Sequence, residues 1–212
     1  MTDIRLLLPL LAAVLGGWAS VTLEDVPDYL VAGQPVTLNY TMRQHGEEML
    51  SGLNGSIEAT AGNLSTTAKV TAGAKPGRYT ATLTVPQPGE WTISINTGFH
   101  RQRVTLLPIR AIAPGAQAPV LSDADRGQRL FVGKGCVTCH THRSVKTEGG
   151  NAGPDLSERR FAADYLAGFL ADPAKTLRAR GSTRYMPNLE LKAREIASLV
   201  AFINQDGQTT GR

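Results

Sequence analysis

Cysteine is nearly absent from this chain, with two residues among 212, Cys136 and Cys139. No network of disulfides can staple the fold, so packing must hold it together. Tryptophan is equally scarce, at Trp18 and Trp91, and aromatic residues make up only 6% of the whole. Clustered aromatics for base stacking are missing, and so is a basic stripe. The formal excess of +4 lies in one region: residues 1–122 hold 8 Lys/Arg and 8 Asp/Glu, residues 123–212 hold 14 and 10. No nucleic-acid partner is expected from so small and scattered a charge. No internal repeat appears at any useful period, which excludes an array. What remains is 42% hydrophobic and 19% charged, an ordinary globular composition with room for one large domain or two small ones.

Long apolar runs are also wanting. LLLPLLAAVL, after a weakly charged start in which Asp3 opposes Arg5, falls short of the ~20 residues of a spanning helix. Small residues at Gly17 and Ala19 permit cleavage, so residues 1–19 read as an export signal, with an uncleaved anchor as the alternative. No cysteine follows to carry a lipid, and no twin arginine precedes. The chain is thus expected to cross a membrane unfolded, to reside in the periplasm or another extracytoplasmic space, and to receive any cofactor there.

Residues 20–107 alternate with period two. Val36, Leu38, Tyr40 and Met42 share one face, as do Tyr79, Ala81, Leu83 and Val85, and Trp91, Ile93 and Ile95. Turn formers in AGQP, LNGS, AKPG and PQPGE separate about seven such runs. The expected architecture is an immunoglobulin-like β-sandwich packed around Trp91 and Tyr79. AGQPVTLNYTMRQHG and GRYTATLTVPQPGEWTISI resemble the FixH-like and YtkA-like families of small bacterial periplasmic domains. Within this region Met42, His45 and Met49 lie close in sequence, and thioethers with an imidazole suit copper. Alternation turns Met42 inward, which leaves too few ligands.

Residues 108–122, rich in Pro, Ala and Gly, read as a linker. From 123 to 212 the period becomes helical. Ser122 with Asp125 marks a helix start, FAADYLAGFLADP a second helix closed by Pro173, and Ile196, Leu199, Val200 and Ile203 one face of a terminal helix. The expected fold is therefore an all-β sandwich followed by an all-α domain.

GKGCVTCHTH carries the chemistry. A disulfide across C-x-x-C is tight and a poor staple. A thioredoxin-like pair needs a βαβ surround, and zinc needs four ligands where only Cys136, Cys139, His140 and His142 are offered, crowded together. C-x-x-C-H is also the attachment signature of c-type haem: two thioethers to the porphyrin edge and the adjacent His140 on iron. Both cysteines are used once, so one haem c is expected. His142, on the same side as His140, cannot span the ring. Met186, followed by Pro187 in a non-periodic loop, is the one methionine downstream and the expected sixth ligand; the pair His/Met raises the potential. An open iron site, a lysine, or a histidine lent by the first domain are the rivals.

RGQRLFVGKGCVTCHTH, AGPDL, YLAGFLADPAK and YMPNLELKAREIASLVAFI together resemble a class I cytochrome c domain over residues 123–207. The resemblance implies that Gly127 and Phe131 of the first helix cross Phe202 of the last. It also implies that Pro154 offers its carbonyl to Nδ1 of His140. The tryptophan many relatives place near a haem propionate is missing here; Tyr165, Tyr185, Arg180 or Arg184 could stand in its place.

These readings converge on an electron carrier or electron-transfer subunit and not an enzyme. Phe131, Leu156, Leu166, Leu170 and Leu189 are expected to line a dry pocket, and Lys134, Arg143, Lys146 and Lys175 to ring an exposed edge that attracts an acidic redox partner. The β domain is expected to dock or position the haem domain on a membrane complex, such as an oxidase or a photosynthetic reaction centre. The alternatives are a haem enzyme or gas sensor with a displaceable sixth ligand, and a copper-binding β domain coupled to a cytochrome.

Overall fold

The structure, a computed structural model, describes residues 17–100, 102–145, 150 and 152–205. Most of the expected export signal and Lys146 lie outside these residues. No helix among the described residues is long and apolar enough to cross a membrane.

Two sheets form the first half. One runs β1 (Ala19–Leu23), β3 (Pro35–Gln44), β8 (Arg78–Thr84) and β7 (Thr71–Ala72), with β4 (Glu48–Met49) paired to β3. The other runs β2 (Leu30–Val31), β11 (Ile109–Ile112), β9 (Gly89–Asn96), β5 (Ser56–Ala61) and β6 (Leu64–Lys69), with β10 (Arg103–Thr105) paired to β9. All pairs are antiparallel except β2 with β11. The period-two faces meet between the sheets: Leu38, Tyr40 and Met42 with Tyr79, Ala81 and Leu83 from one side, Trp91, Ile93 and Ile95 from the other, all buried. Tyr40 and Tyr79 sit opposite in register and stack at 5.6 Å. The Trp91 indole N–H donates to the Gln87 carbonyl at 3.0 Å, so the largest buried side chain brings its one polar atom with a partner.

Two boundaries differ from expectation. Ala19, the last residue of the expected signal, already belongs to β1, paired with Gln44 and fully buried. Residues 108–122 are not all linker, because Ile109 and Ala111 are buried in β11, against Trp91 and Gly89 of β9 and beside Leu30 of β2. The strand is short and set between prolines, so its alternation is too brief to outweigh the turn formers around it.

Four helices form the second half: α1 (Asp123–Gly133), α2 (Ala163–Ala171), α3 (Pro173–Ala179) and α4 (Ala193–Ile203). Ser122 caps α1, its Oγ accepting from Asp125 N–H at 3.1 Å, with Asp123 and Asp125 at the positive end of the helix dipole. Pro173 closes α2 and also opens α3, where it occupies the first turn and lacks the N–H that would be orphaned there. Asp172 caps that helix by accepting from Lys175 N–H at 3.0 Å.

Helices α1 and α4 cross at Gly127. A Cβ there would fall 2.0 Å from the Ser198 carbonyl oxygen and 2.6 Å from Phe202 Cβ, so the crossing is close enough only for glycine. Phe131 packs on Phe202 at 5.6 Å one turn further on. The buried face of α4 is consequently Glu195, Ser198, Leu199, Phe202 and Ile203, while Ile196 and Val200 are only partly covered. The shift from the expected stripe follows from the small contact at Ser198 and the ionic one at Glu195. Gly127→Val is expected to destabilise the protein by about 3 kcal/mol, near the upper end for overpacking. A lower denaturant midpoint for the helical half, with the sandwich transition unmoved, is the outcome to look for.

The outer face of the β1–β3 sheet is not solvent-facing. Thr22, Thr41 and Arg43 are buried there although alternation assigns them to the outside. The helical half rests on this side. Arg126 Nε lies 3.1 Å from Asp28, Arg129 donates to the Asp28 carbonyl at 3.0 Å, and Val26 and Leu23 approach Gly133.

Candidate functional site

The two thiols follow α1 directly. Gly135 holds φ 81, the left-handed conformation that ends the helix, and a Cβ on it would come within 2.4 Å of the Val21 carbonyl oxygen of β1. Both demands select glycine. The chain then makes one short 3₁₀ turn, Cys136–Thr138, in which the N–H groups of Cys139 and His140 both donate to the Cys136 carbonyl, at 3.1 and 2.9 Å. This turn brackets the two cysteines and places His140 directly after the second. The cysteines are free and partly buried. Burial pushes the Cys136 thiol up to about 12, with the neighbouring Cys139 adding to it, and burial also raises Cys139. A redox-active C-x-x-C pair has the opposite shift, toward the thiolate.

Gly150 and residues 152–156 run back along this turn. Gly150 N–H donates to the Val137 carbonyl at 3.0 Å, Gly153 N–H to Cys139 at 2.7 Å and Leu156 N–H to Thr141 at 3.0 Å. Gly153 passes directly over the imidazole: a Cβ there would be 2.4 Å from His140 Cε1 and 2.5 Å from Nδ1. His140 Nδ1 lies 2.8 Å from the Pro154 carbonyl oxygen. That oxygen can only accept, so Nδ1 carries the proton and Nε2 is left as the basic nitrogen. Burial lowers the His140 pKa, partly offset by the Pro154 bond, and the ring is kept in the neutral form that ligates metal.

The structure thus brings Cys136, Cys139, His140 and Pro154 together. Met186 is apart from them in sequence, partly buried in the loop between α3 and α4 and packed on the apolar core. Phe131, Leu156, Leu166 and Leu170 are buried in the helical half. Leu189 departs from expectation: it lines a cavity between the two halves with Thr22, Arg43 and Lys134.

His142 is buried between Phe131 and Phe202, with ring centres 6.0 and 4.3 Å away. Its Nδ1 accepts from Ser144 N–H at 3.2 Å, and its Nε2 has no hydrogen-bond partner among the described residues. It is part of the helix crossing, and burial lowers its pKa. Arg180 stacks over Tyr165 at 4.6 Å, whereas Tyr185 is exposed.

The expected ring of cations is corrected at Lys134. Its side chain is 2% exposed, with Nζ 2.8 Å from Glu195 and 2.8 Å from the Glu24 carbonyl oxygen. A sequence window cannot show this, because both partners arrive from far along the chain. Arg143 is half exposed and already paired with Glu158 at 2.9 Å, and Lys175 is exposed. In the first half Met42 is fully buried in the core, Met49 is 45% exposed, and His45 packs edge-on against Trp18. No cluster of three His, Cys, Asp or Glu side chains suited to a metal occurs among the described residues.

The pattern alone did not single out Gly135 and Gly153 as site residues, nor Arg78 and Glu190 as contacts between the halves. Their glycine signals, K-G-C and A-G-P, are visible only once the cysteines and His140 are given roles.

The residues present fit a c-type haem: two unpaired thiols one turn apart, a neutral imidazole with one nitrogen held and the other basic, and a glycine where any side chain would strike the ring. The family model for cytochrome c matches residues 124–206. The C-terminal part of the chain is a cytochrome c domain, which implies covalently bound haem c and haem-based electron transfer. No FixH-like or YtkA-like model matches the β region, which stands as a separate all-strand domain. No curated protein matches the chain. Among solved structures, the chain is similar to surface layer protein SbsC, domains 1–6, at 20% identity and TM-score 0.36, covering 49% of this chain and 14% of that one. It is similar to the ZirS C-terminal domain at 12% identity and TM-score 0.37, covering 53% and 81%. A superoxide reductase (neelaredoxin) from Ignicoccus hospitalis matches at 12% identity and TM-score 0.30, covering 44% and 80%. At such low scores these likenesses carry no argument about this chain.

Proposed function

We propose, from the cytochrome c domain at residues 124–206, that this chain is a monohaem electron carrier or electron-transfer subunit. In this reading Cys136 and Cys139 hold the haem, His140 and Met186 ligate its iron, and Pro154 orients His140. The observation that carries it is His140 beside the two thiols, with Nδ1 held at 2.8 Å by Pro154 and Nε2 left to ligate. A bound haem of this type takes up and gives back one electron at its iron.

The chain's own residues supply the rest. The turn at Cys136–Thr138 fixes the attachment points, and the Pro154 carbonyl keeps the imidazole in one tautomer and raises its basicity. Buried Leu156, Leu166 and Leu170 keep water from the interior, which favours the less charged state. Met186 would supply a thioether sulfur to the iron, which would raise the potential and leave no place for a substrate. An extracytoplasmic location is supported by LLLPLLAAVL and by covalent haem attachment. The partner is proposed to be a redox protein, such as an oxidase or a photosynthetic reaction centre in a membrane. The β domain positions the haem domain against it.

Met186→Ala tests the ligand. The wild-type ferric protein is expected to show the weak far-red band of Met-ligated iron and, when reduced, to bind carbon monoxide slowly. The variant is expected to lose the band, bind carbon monoxide at once, and drop in potential by roughly 0.1 V or more, within the ~0.8 V that axial ligands span. Rapid carbon monoxide binding by the wild type would instead favour a sensor or enzyme.

A further inference from the structure

The loop that carries Met186 meets the β domain just after that residue. Pro187 lies beside the β3–β4 turn, where a Cβ on Gly46 would be 3.8 Å from Pro187 Cγ and 3.7 Å from Trp18 Cη2. Leu189 enters the cavity between the halves, about 290 Å³ in volume. Glu190 accepts from Arg78 at 3.3 Å, and Arg78 also pairs with Glu24. Lys192 pairs with Asp25. Four positions between 187 and 192 therefore touch the sandwich, on an otherwise irregular stretch.

Glu190 also holds φ 55, a left-handed conformation that glutamate seldom adopts, with its N–H donating to Asn188 Oδ1 at 2.9 Å. A residue stays in such a conformation when its surroundings over-determine it, and here Arg78 of the other domain is among them. Met186, just ahead of these four positions, is itself partly buried and packed on the apolar core.

We propose that the sandwich is a brace for the sixth-ligand loop, with Arg78 and Asp25 as positioning residues that hold residues 187–192 from outside and so slow the departure of Met186 from iron. The proposal rests on Met186 being the ligand. Each exposed ion pair contributes a factor of roughly two to five, so the brace is collective and sensitive to salt.

The test uses ferric full-length holoprotein with imidazole as the probe. At saturating imidazole the binding rate reports how often Met186 leaves. Arg78→Glu, which sets a third carboxylate beside Glu24 and Glu190, is expected to raise that limiting rate roughly tenfold while the resting far-red band persists. Adding Glu190→Arg restores an opposite pair and is expected to bring the rate most of the way back. High salt is expected to raise the wild-type rate severalfold with no substitution, which keeps the test available if Arg78→Glu does not fold. A limiting rate unmoved by salt and by Arg78→Glu, with the band intact and Met186→Ala abolishing it, overturns the brace and leaves the ligand in place. A wild type without the band, binding imidazole at a rate that never saturates, overturns the ligand and the brace together.

Discussion

Replacing Cys136 and Cys139 together by alanine is expected to yield, from a host competent in cytochrome c maturation, a chain with the mass of the polypeptide alone. The wild type is expected to carry the added mass of one haem and to keep its colour through acid-acetone extraction. The effect is all-or-none because these are the only two cysteines in the sequence and no other thiol can replace them. Stability is expected to follow. A tethered haem stays on the chain when it unfolds, but only the folded state would pack around it and ligate its iron, and that difference stabilises the fold. The helical half of the double variant should therefore melt first, with loss of far-UV helical signal at a lower temperature than strand signal. Colour released by acid acetone from the wild type would defeat the assignment of both thiols.

Lys134→Met is expected to cost about 3 to 5 kcal/mol, the range for removing one partner of a buried ion pair. The methionine fills nearly the same volume, so the loss is electrostatic and not a cavity. Glu195 is left with its Oε2 accepting from Lys192 N–H at 2.9 Å and with no cation at Oε1, and the Glu24 carbonyl loses its donor. Lys134→Met with Glu195→Gln should recover a good part of the loss, since it is the stranded charge that is costly. Denaturant unfolding of the single and double variants measures both. Equal midpoints for Lys134→Met and the wild type would show that the pair carries no net weight.

What could be read in advance was whatever the chain writes locally. The core faces of β3, β8 and β9 follow from strict alternation around Tyr40, Tyr79 and Trp91, and the start of α1 from Ser122 with Asp125. The thiols and His140 are within five consecutive residues, so their grouping needs no knowledge of the fold. What depended on distant partners could not be read. Lys134 looks like any surface lysine until α4 and the chain after β1 close over it. Arg43 lies on the face that alternation gives to solvent and is buried because a second domain rests there. Leu189 looks like pocket lining in sequence, yet it is held at the boundary between the halves. Ile109–Ile112 resembles a tether because the strands on either side of it, β2 and β9, come from earlier in the chain.

Among the described residues, every strand lies between Ala19 and Ile112, upstream of both thiols. N-terminal units fold first as a chain emerges. The order of residues therefore sets an order of synthesis, in which the β platform is complete before the residues that rest on it are made. The helical half can seat Lys134 against that platform only after α4, the last helix among the described residues, has delivered Glu195. The burial of Lys134 between the halves is thereby tied to the arrival of α4.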